Sequence, residues 1–153
     1  MDTKLKHLSD APVKVGLPAN IPNPIKPEWY AGRHHAALAA LVGLSQFGVN
    51  HVVLERGAYS ALRHWHEEED EFVYVLSGAP VLIDDNGKHP LRAGDFIGFP
   101  AGAANAHHLT NEGDEPAVLL TIGTRKVGRE VVHYPDDDFG PGIVTRDANG
   151  NRI

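Results

Sequence analysis

His64-Trp65-His66-Glu67-Glu68-Glu69-Asp70-Glu71 is the stretch on which the reading of this 153-residue chain turns. In a strand, side chains two residues apart share a face, so His64 and His66 present two imidazoles together. A turn through Glu67–Asp70 and a return strand bring Glu71 back beside them. Two imidazoles and a carboxylate form a donor set for a divalent transition ion. With 10 histidines in the chain, a His-x-His pair alone arises about 0.65 times by chance. Requiring Glu five residues on and Gly seven after that lowers the expectation to roughly 0.004. The combination is informative where the pair is not.

Outward from this stretch the chain reads as short strands broken by turn residues. Strands are predicted at Val49–Glu55, Phe72–Leu76, Pro80–Ile83, Asp95–Phe99, Ala117–Ile122 and Glu130–His133. Asp84-Asp85-Asn86-Gly87 carries the Asn-Gly hairpin signal; it lacks the rest of a calcium loop and is read as a turn. Short strands without alternating long helices indicate an antiparallel sandwich or barrel. Pro12, Pro18, Pro22, Pro24 and Pro27 make the opening an extended arm. His34–Leu44 is Ala- and Leu-rich and is predicted as a short helix. These features divide the chain into an arm over 1–47, a barrel over 48–134 and a solvated tail over 135–153, beginning with Asp136-Asp137-Asp138. A second cluster runs Gly94-Asp95-Phe96-Ile97-Gly98-Phe99-Pro100-Ala101-Gly102 and then His107-His108-Leu109-Thr110-Asn111. There a turn at Pro-Ala-Gly and a returning strand aim a histidine inward.

Composition narrows the field further. Cysteine is absent, which excludes disulfides, thiolate metal sites, iron–sulfur clusters and cysteine nucleophiles. A formal charge of −6 with no basic run argues against a nucleic-acid or anionic-membrane partner. No apolar run is long enough for a membrane span, and the opening residues lack a signal-peptide core, so a cytoplasmic location is expected. The chain carries no dinucleotide fingerprint, phosphate loop or Gly-x-Ser-x-Gly elbow. His66-Glu67 is not followed by the second histidine of a His-Glu-x-x-His helix.

Together the two clusters resemble the cupin superfamily. Gly57, His64, His66, Glu71 and Gly78 follow its first motif, with six residues rather than five between Gly57 and His64. Gly94, Pro100, Gly102, His107 and Asn111 follow the second, with four residues rather than two between Gly102 and His107. The longer turn leaves His107 and His108 both in view as the histidine of that motif, and the spacing to Asn111 favours His107. More narrowly, Gln46-Phe47-Gly48-Val49-Asn50, Glu71-Phe72-Val73-Tyr74-Val75-Leu76 and Gly123-Thr124-Arg125 look like the small single-domain bacterial cupins labelled sugar-phosphate isomerases.

The resemblance implies an all-β, double-stranded β-helix (a jelly-roll barrel) holding one divalent metal through His64, His66, Glu71 and His107. Fe, Mn, Ni, Co and Zn all suit that donor set, which leaves positions open for Lewis-acid or dioxygen chemistry. The expected function is a metal-dependent cupin acting on a small oxygenated molecule such as a sugar phosphate, by isomerase-type proton transfer. A non-catalytic ligand-binding cupin and an iron-dependent dioxygenase are the alternatives, and no catalytic residue is assigned. Glu67, Glu68, Glu69 and Asp70 read as a solvated acidic loop, and Trp65 packs away from the ligand face. Arg63 and Arg125 are candidates for an anionic substrate, with surface arginine the plainer reading. His34, His35, His51, His89 and His133 have no partner at ligand spacing. A homodimer is expected, its edge strands covered by the arm.

Overall fold

Alternating apolar and polar residues with β-branched runs such as Val49–Leu54 and Val73–Leu76 favour pleated, half-buried strands. In the computed structural model, which describes residues 2–16, 26–126, 128–137 and 142–146, they form an all-β architecture. In chain order the strands are β1 (Val13–Val15), β2 (Arg33–Ala37), β3 (Phe47–Leu54), β4 (Trp65–His66), β5 (Glu71–Ser77) and β6 (Val81–Asp84). They continue as β7 (Gly87–Pro90), β8 (Phe96–Phe99), β9 (His108–Thr110), β10 (Ala117–Thr124), β11 (Gly128–His133) and β12 (Gly142–Arg146). All six strands read from the sequence are present. Helical structure among the described residues is confined to single 3-10 turns at Leu8–Asp10, Pro27–Trp29 and Ala40–Val42, so no helix is long and apolar enough to cross a membrane.

The largest sheet has the order β1-β2-β3-β10-β5-β8; two smaller ones run β12-β11-β4 and β7-β6-β9. The core lies between the inner face of the large sheet (Val52, Leu54, Val73, Val75, Phe99, Leu119) and Leu82 and Leu109 of the β6–β9 pair. The Asp84–Gly87 hairpin forms as expected, with Asp84 paired to Gly87 and the Asn86 N–H donating to the Asp84 carboxylate at 2.9 Å.

The helix expected over His34–Leu44 is not there. Arg33–Ala37 is instead a strand in register with β3, with His35 opposite Val52 and Ala36 opposite His51. An eleven-residue helix is marginal by itself, and two-sided pairing to β1 and β3 outweighs the helix propensity of the alanines. What remains of the expectation is the Ala40–Val42 turn, stopped by Gly43 at φ +82°. The proline-rich opening is an added strand in part, since Val13–Val15 pairs antiparallel with β2; Pro18, Pro22 and Pro24 lie outside the described residues. Past Pro135, the acidic run is less solvated than its composition suggested. Asp136 and Asp137 are ion-paired to Arg63 and Lys26, and 142–146 pair with β11. Asp138 lies outside the described residues.

Candidate metal centre

β4 is two residues long, and its pairing fixes what it presents. His66 stands opposite Val132 and Trp65 opposite His133 on β11, while His64 is bridged to His107 by reciprocal backbone hydrogen bonds of 3.2 and 2.9 Å. Alternation then sends His64 and His66 to one side, their ring centroids 5.0 Å apart. Trp65 goes to the other side and stacks on His133 at 4.0 Å. After the Glu67–Asp70 loop, β5 opens with Glu71 on its inner face. The turn at Pro100–Ala103 is tied to β4 by the Gly102 N–H donating to the His66 carbonyl at 2.9 Å.

These elements converge on the Glu71 carboxylate. Its Oε1 lies 2.9 Å from His66 Nε2 and 3.4 Å from His64 Nε2, and its Oε2 lies 2.5 Å from His107 Nε2. Donor atoms of His64, His66 and Glu71 all fall within 4.8 Å of one another. His66 and His107 are buried, whereas Glu71 keeps a quarter of its side-chain surface accessible, so the cluster opens on one side. His107 also stacks on Phe99 at 3.4 Å.

Each imidazole is held from behind. Nδ1 of His64 faces the Leu62 carbonyl at 2.7 Å, Nδ1 of His107 faces the Asn105 carbonyl at 3.0 Å, and Nδ1 of His66 faces the Glu130 carboxylate at 2.9 Å. Those oxygens only accept, so each Nδ1 carries the proton and donates it. In a neutral ring, Nε2 is then a lone pair. Three such lone pairs aimed at one carboxylate repel unless a cation lies among them, and this is the arrangement of a metal centre with its outer hydrogen bonds in place. Without a metal, protons take that role. Burial alone would raise the Glu71 carboxyl, but the His64 charge and the hydrogen bonds from all three histidines outweigh it and hold the group well below the ordinary carboxylate range. Burial likewise opposes a charge on His66, yet its bonds to Glu130 and Glu71 raise it to about 10. The residues present fit a divalent ion.

The structure places His107, not His108, against Glu71. His108 points the opposite way, with Nδ1 3.0 Å from the Ala61 carbonyl and its ring against Tyr59 and Trp29. Burial lowers it to about 4 despite that carbonyl bond. Asn111 is fully buried away from the cluster, where its amide donates to the Leu54 and Glu115 carbonyls at 2.9 and 2.8 Å.

The acidic loop is only partly solvated. Glu67 pairs with His133 at 2.8 Å, Glu68 with Lys126 at 2.8 Å, and Asp70 accepts from the Ala101 N–H at 2.7 Å. Glu69, by contrast, is buried, accepting from the Lys126 N–H and sitting 4.0 Å from His66 Nδ1. Glu130, fully buried behind His66, escaped the sequence reading. Its signal was a carboxylate directly before the apolar pair Val131-Val132 in a β-branched strand. Arg63 is engaged by Asp136 through two bonds of 2.7 and 2.8 Å, by Asp85, and by the Ala106 carbonyl; the Asp136 bonds above all raise it beyond the usual arginine range. Of the remaining histidines, His34 pairs with Glu55, His35 with Asn50 and His89 with Asp84. None of these reaches the cluster, nor does His51 on the outer face of β3.

Residues 50–123 match the family model for a cupin domain. The sugar phosphate isomerase of the cupin superfamily from Silicibacter pomeroyi is 42% identical, with a TM-score of 0.83 over 96% of this chain and 90% of that one. A provisionally named sugar phosphate isomerase from Acidithiobacillus ferrooxidans is 35% identical, with a TM-score of 0.67 over 81% of this chain and 77% of that one. Protein SchB of Streptomyces halstedii is 39% identical over 57 residues, which are 37% of this chain and 40% of that protein. On the fold and on these matches, the chain belongs to the cupin superfamily, as a small cupin of the kind that includes proteins named sugar phosphate isomerases.

Proposed function

We propose that this cupin is a metalloenzyme that binds one divalent transition metal through His64, His66, Glu71 and His107 and acts on a small oxygenated substrate by isomerase-type proton transfer. The observation that supports this reading is the convergence of three Nε2 atoms on the Glu71 carboxylate, with each Nδ1 committed to an acceptor. Bound there, the ion would supply Lewis-acid polarisation of a substrate oxygen. The chain's own contribution is to fix the ligands: Glu130 orients His66, and backbone carbonyls orient His64 and His107. Phe99, stacked on His107, shields that ligand from water. The names of the two solved relatives support a phosphorylated sugar as substrate.

Elemental analysis before and after chelation is the direct test, with about one equivalent of Fe, Mn, Ni, Co or Zn per chain expected. The double variant His64→Ala with Glu71→Ala should lose both the metal and turnover of sugar phosphates; turnover that survives metal loss would refute the reading. Oxygen uptake by the iron-loaded protein would instead assign a dioxygenase.

We also propose a homodimer. Phe47, Phe96, Val13 and Val15 are exposed large hydrophobics spread over the outer face of the large sheet, from edge strand β1 to edge strand β8, and a second copy laid across that face would cover them.

A further inference from the structure

Beside the metal centre, the inner face of the large sheet ends in a row of four residues aligned across the strands. They are Gly48 on β3, Gly123 on β10, Glu71 on β5 and Phe99 on β8. With strands about 4.8 Å apart, Gly48 stands about 10 Å from Glu71. Neither glycine is in the left-handed region. Their backbone would accept any residue, and what they provide is the missing side chain.

The two vacant positions differ. A Cβ built on Gly123 meets only the Asp70 carbonyl oxygen, at 3.5 Å, so the space above it is open. A Cβ built on Gly48 meets the Arg125 guanidinium, with Nε at 3.4 Å and Nη2 at 3.7 Å. Arg125 therefore lies over the far glycine, its base fixed by the Arg125 N–H donating to the Gln46 carbonyl at 3.0 Å. The near glycine is an open floor between that guanidinium and Glu71.

Arg125's neighbour Lys126 is already neutralised by Glu68, and elsewhere Arg63 is neutralised by Asp136 and Asp85 and Lys26 by Asp137. Among the described residues, no carboxylate lies within 4.0 Å of the Arg125 guanidinium. Its planar fork matches carboxylate or phosphate oxygens two at a time. We infer that Arg125 binds an anionic group, carboxylate or phosphate, at the far end of a substrate whose near-end oxygens reach the metal at Glu71. This rests on the metal-centre reading above and adds to it the residue that selects a doubly functional substrate. The surface arginine expected from sequence is thus given a ligand.

The test is calorimetric titration of the manganese-loaded protein with two probe pairs, lactate against malate and glycerate against 3-phosphoglycerate. Within at least one pair, the member with the second anion should bind about tenfold tighter or more. Arg125→Gln should abolish that ratio while leaving metal content and the affinity for lactate and glycerate unchanged, and Arg125→Lys should restore part of it. Gly123→Val, which fills the floor with Arg125 intact, should weaken only the longer ligands. Preference confined to 3-phosphoglycerate assigns phosphate, and preference confined to malate assigns carboxylate. Equal affinities within both pairs, or a ratio that persists in Arg125→Gln, overturn the inference and leave the metal centre standing. A protein that takes up no manganese overturns both.

Discussion

His107 and His108 are adjacent, equally buried and chemically identical, yet alternation gives them opposite faces. His107→Ala should therefore cut metal affinity by about a hundredfold or more while the barrel stays folded. His108→Ala should keep full metal stoichiometry and lose about 1–3 kcal/mol of stability, because it vacates a packed site and strips the Ala61 carbonyl of its donor. Metal analysis with thermal unfolding of both variants separates the two roles. His35 adds to the acid-side pH dependence that buried His108 also carries. Burial lowers it below the ordinary histidine value, outweighing its bond to Asn50. The unfolded chain then binds this proton more readily, so the contribution is complete above about pH 6.5 and is lost as pH falls below it toward the folded value. His35→Gln, which can keep a bond to Asn50, should reduce the pH dependence of urea midpoints between pH 7 and 5 and leave the share carried by His108. At this scale the sequence was a good guide to which side chains gather around Glu71, because i, i+2 spacing is a local rule. It was a poor guide to Glu69 and Glu130, whose burial depends on strands far away in the chain.

Strands were legible wherever turn residues bracketed a β-branched run, and they failed to be legible at β2. Nothing in Arg33-His34-His35-Ala36-Ala37 favours a strand; what makes it one is β3 on one side and β1 on the other. Two glycines of the first motif show how one residue type serves two ends. Gly57 and Gly78 both sit at φ +83°, but a Cβ on Gly57 meets nothing, while one on Gly78 lies 2.5 Å from the Pro116 carbonyl oxygen and 2.7 Å from Ala117 Cα. Gly57→Ala should cost only the left-handed backbone penalty, about 1–2 kcal/mol. Gly78→Ala adds a collision with the start of β10 and should cost about 3 kcal/mol or more, or prevent folding. Denaturant midpoints of the two variants give the comparison.

For the molecule as a whole, the large sheet buries one face and leaves Phe96 68% and Val13 60% exposed on the other. Light scattering at micromolar concentration should return twice the 16.6 kDa chain mass, and Phe96→Glu should shift the population toward the monomer. A monomeric mass for the unsubstituted protein would contradict the dimer. An antiparallel fold was readable from the sequence because closely spaced turn signals leave few alternatives, and the choice of barrel over sandwich rested on the resemblance of the two motifs. The Arg125–Gly48 contact was not readable, since it joins the two ends of paired strands β3 and β10, and only their register brings the guanidinium over a residue without a side chain.

The two-residue strand that carries His66 has a consequence for the order of events during synthesis. Its ladder partner is Val132, 66 residues later, and His64 is bridged to His107, which also emerges afterwards. As the nascent chain leaves the ribosome at about 5–20 residues per second, the hairpin at Asp84–Gly87 can close seconds before the ligand strand has anything to pair with. The cell therefore meets this cupin first as a folding chain with His64, His66, Glu71 and His107 still apart, and their convergence belongs to the finished barrel. A chain truncated before β11 would contain all four of these residues and still lack the strand that aims His66.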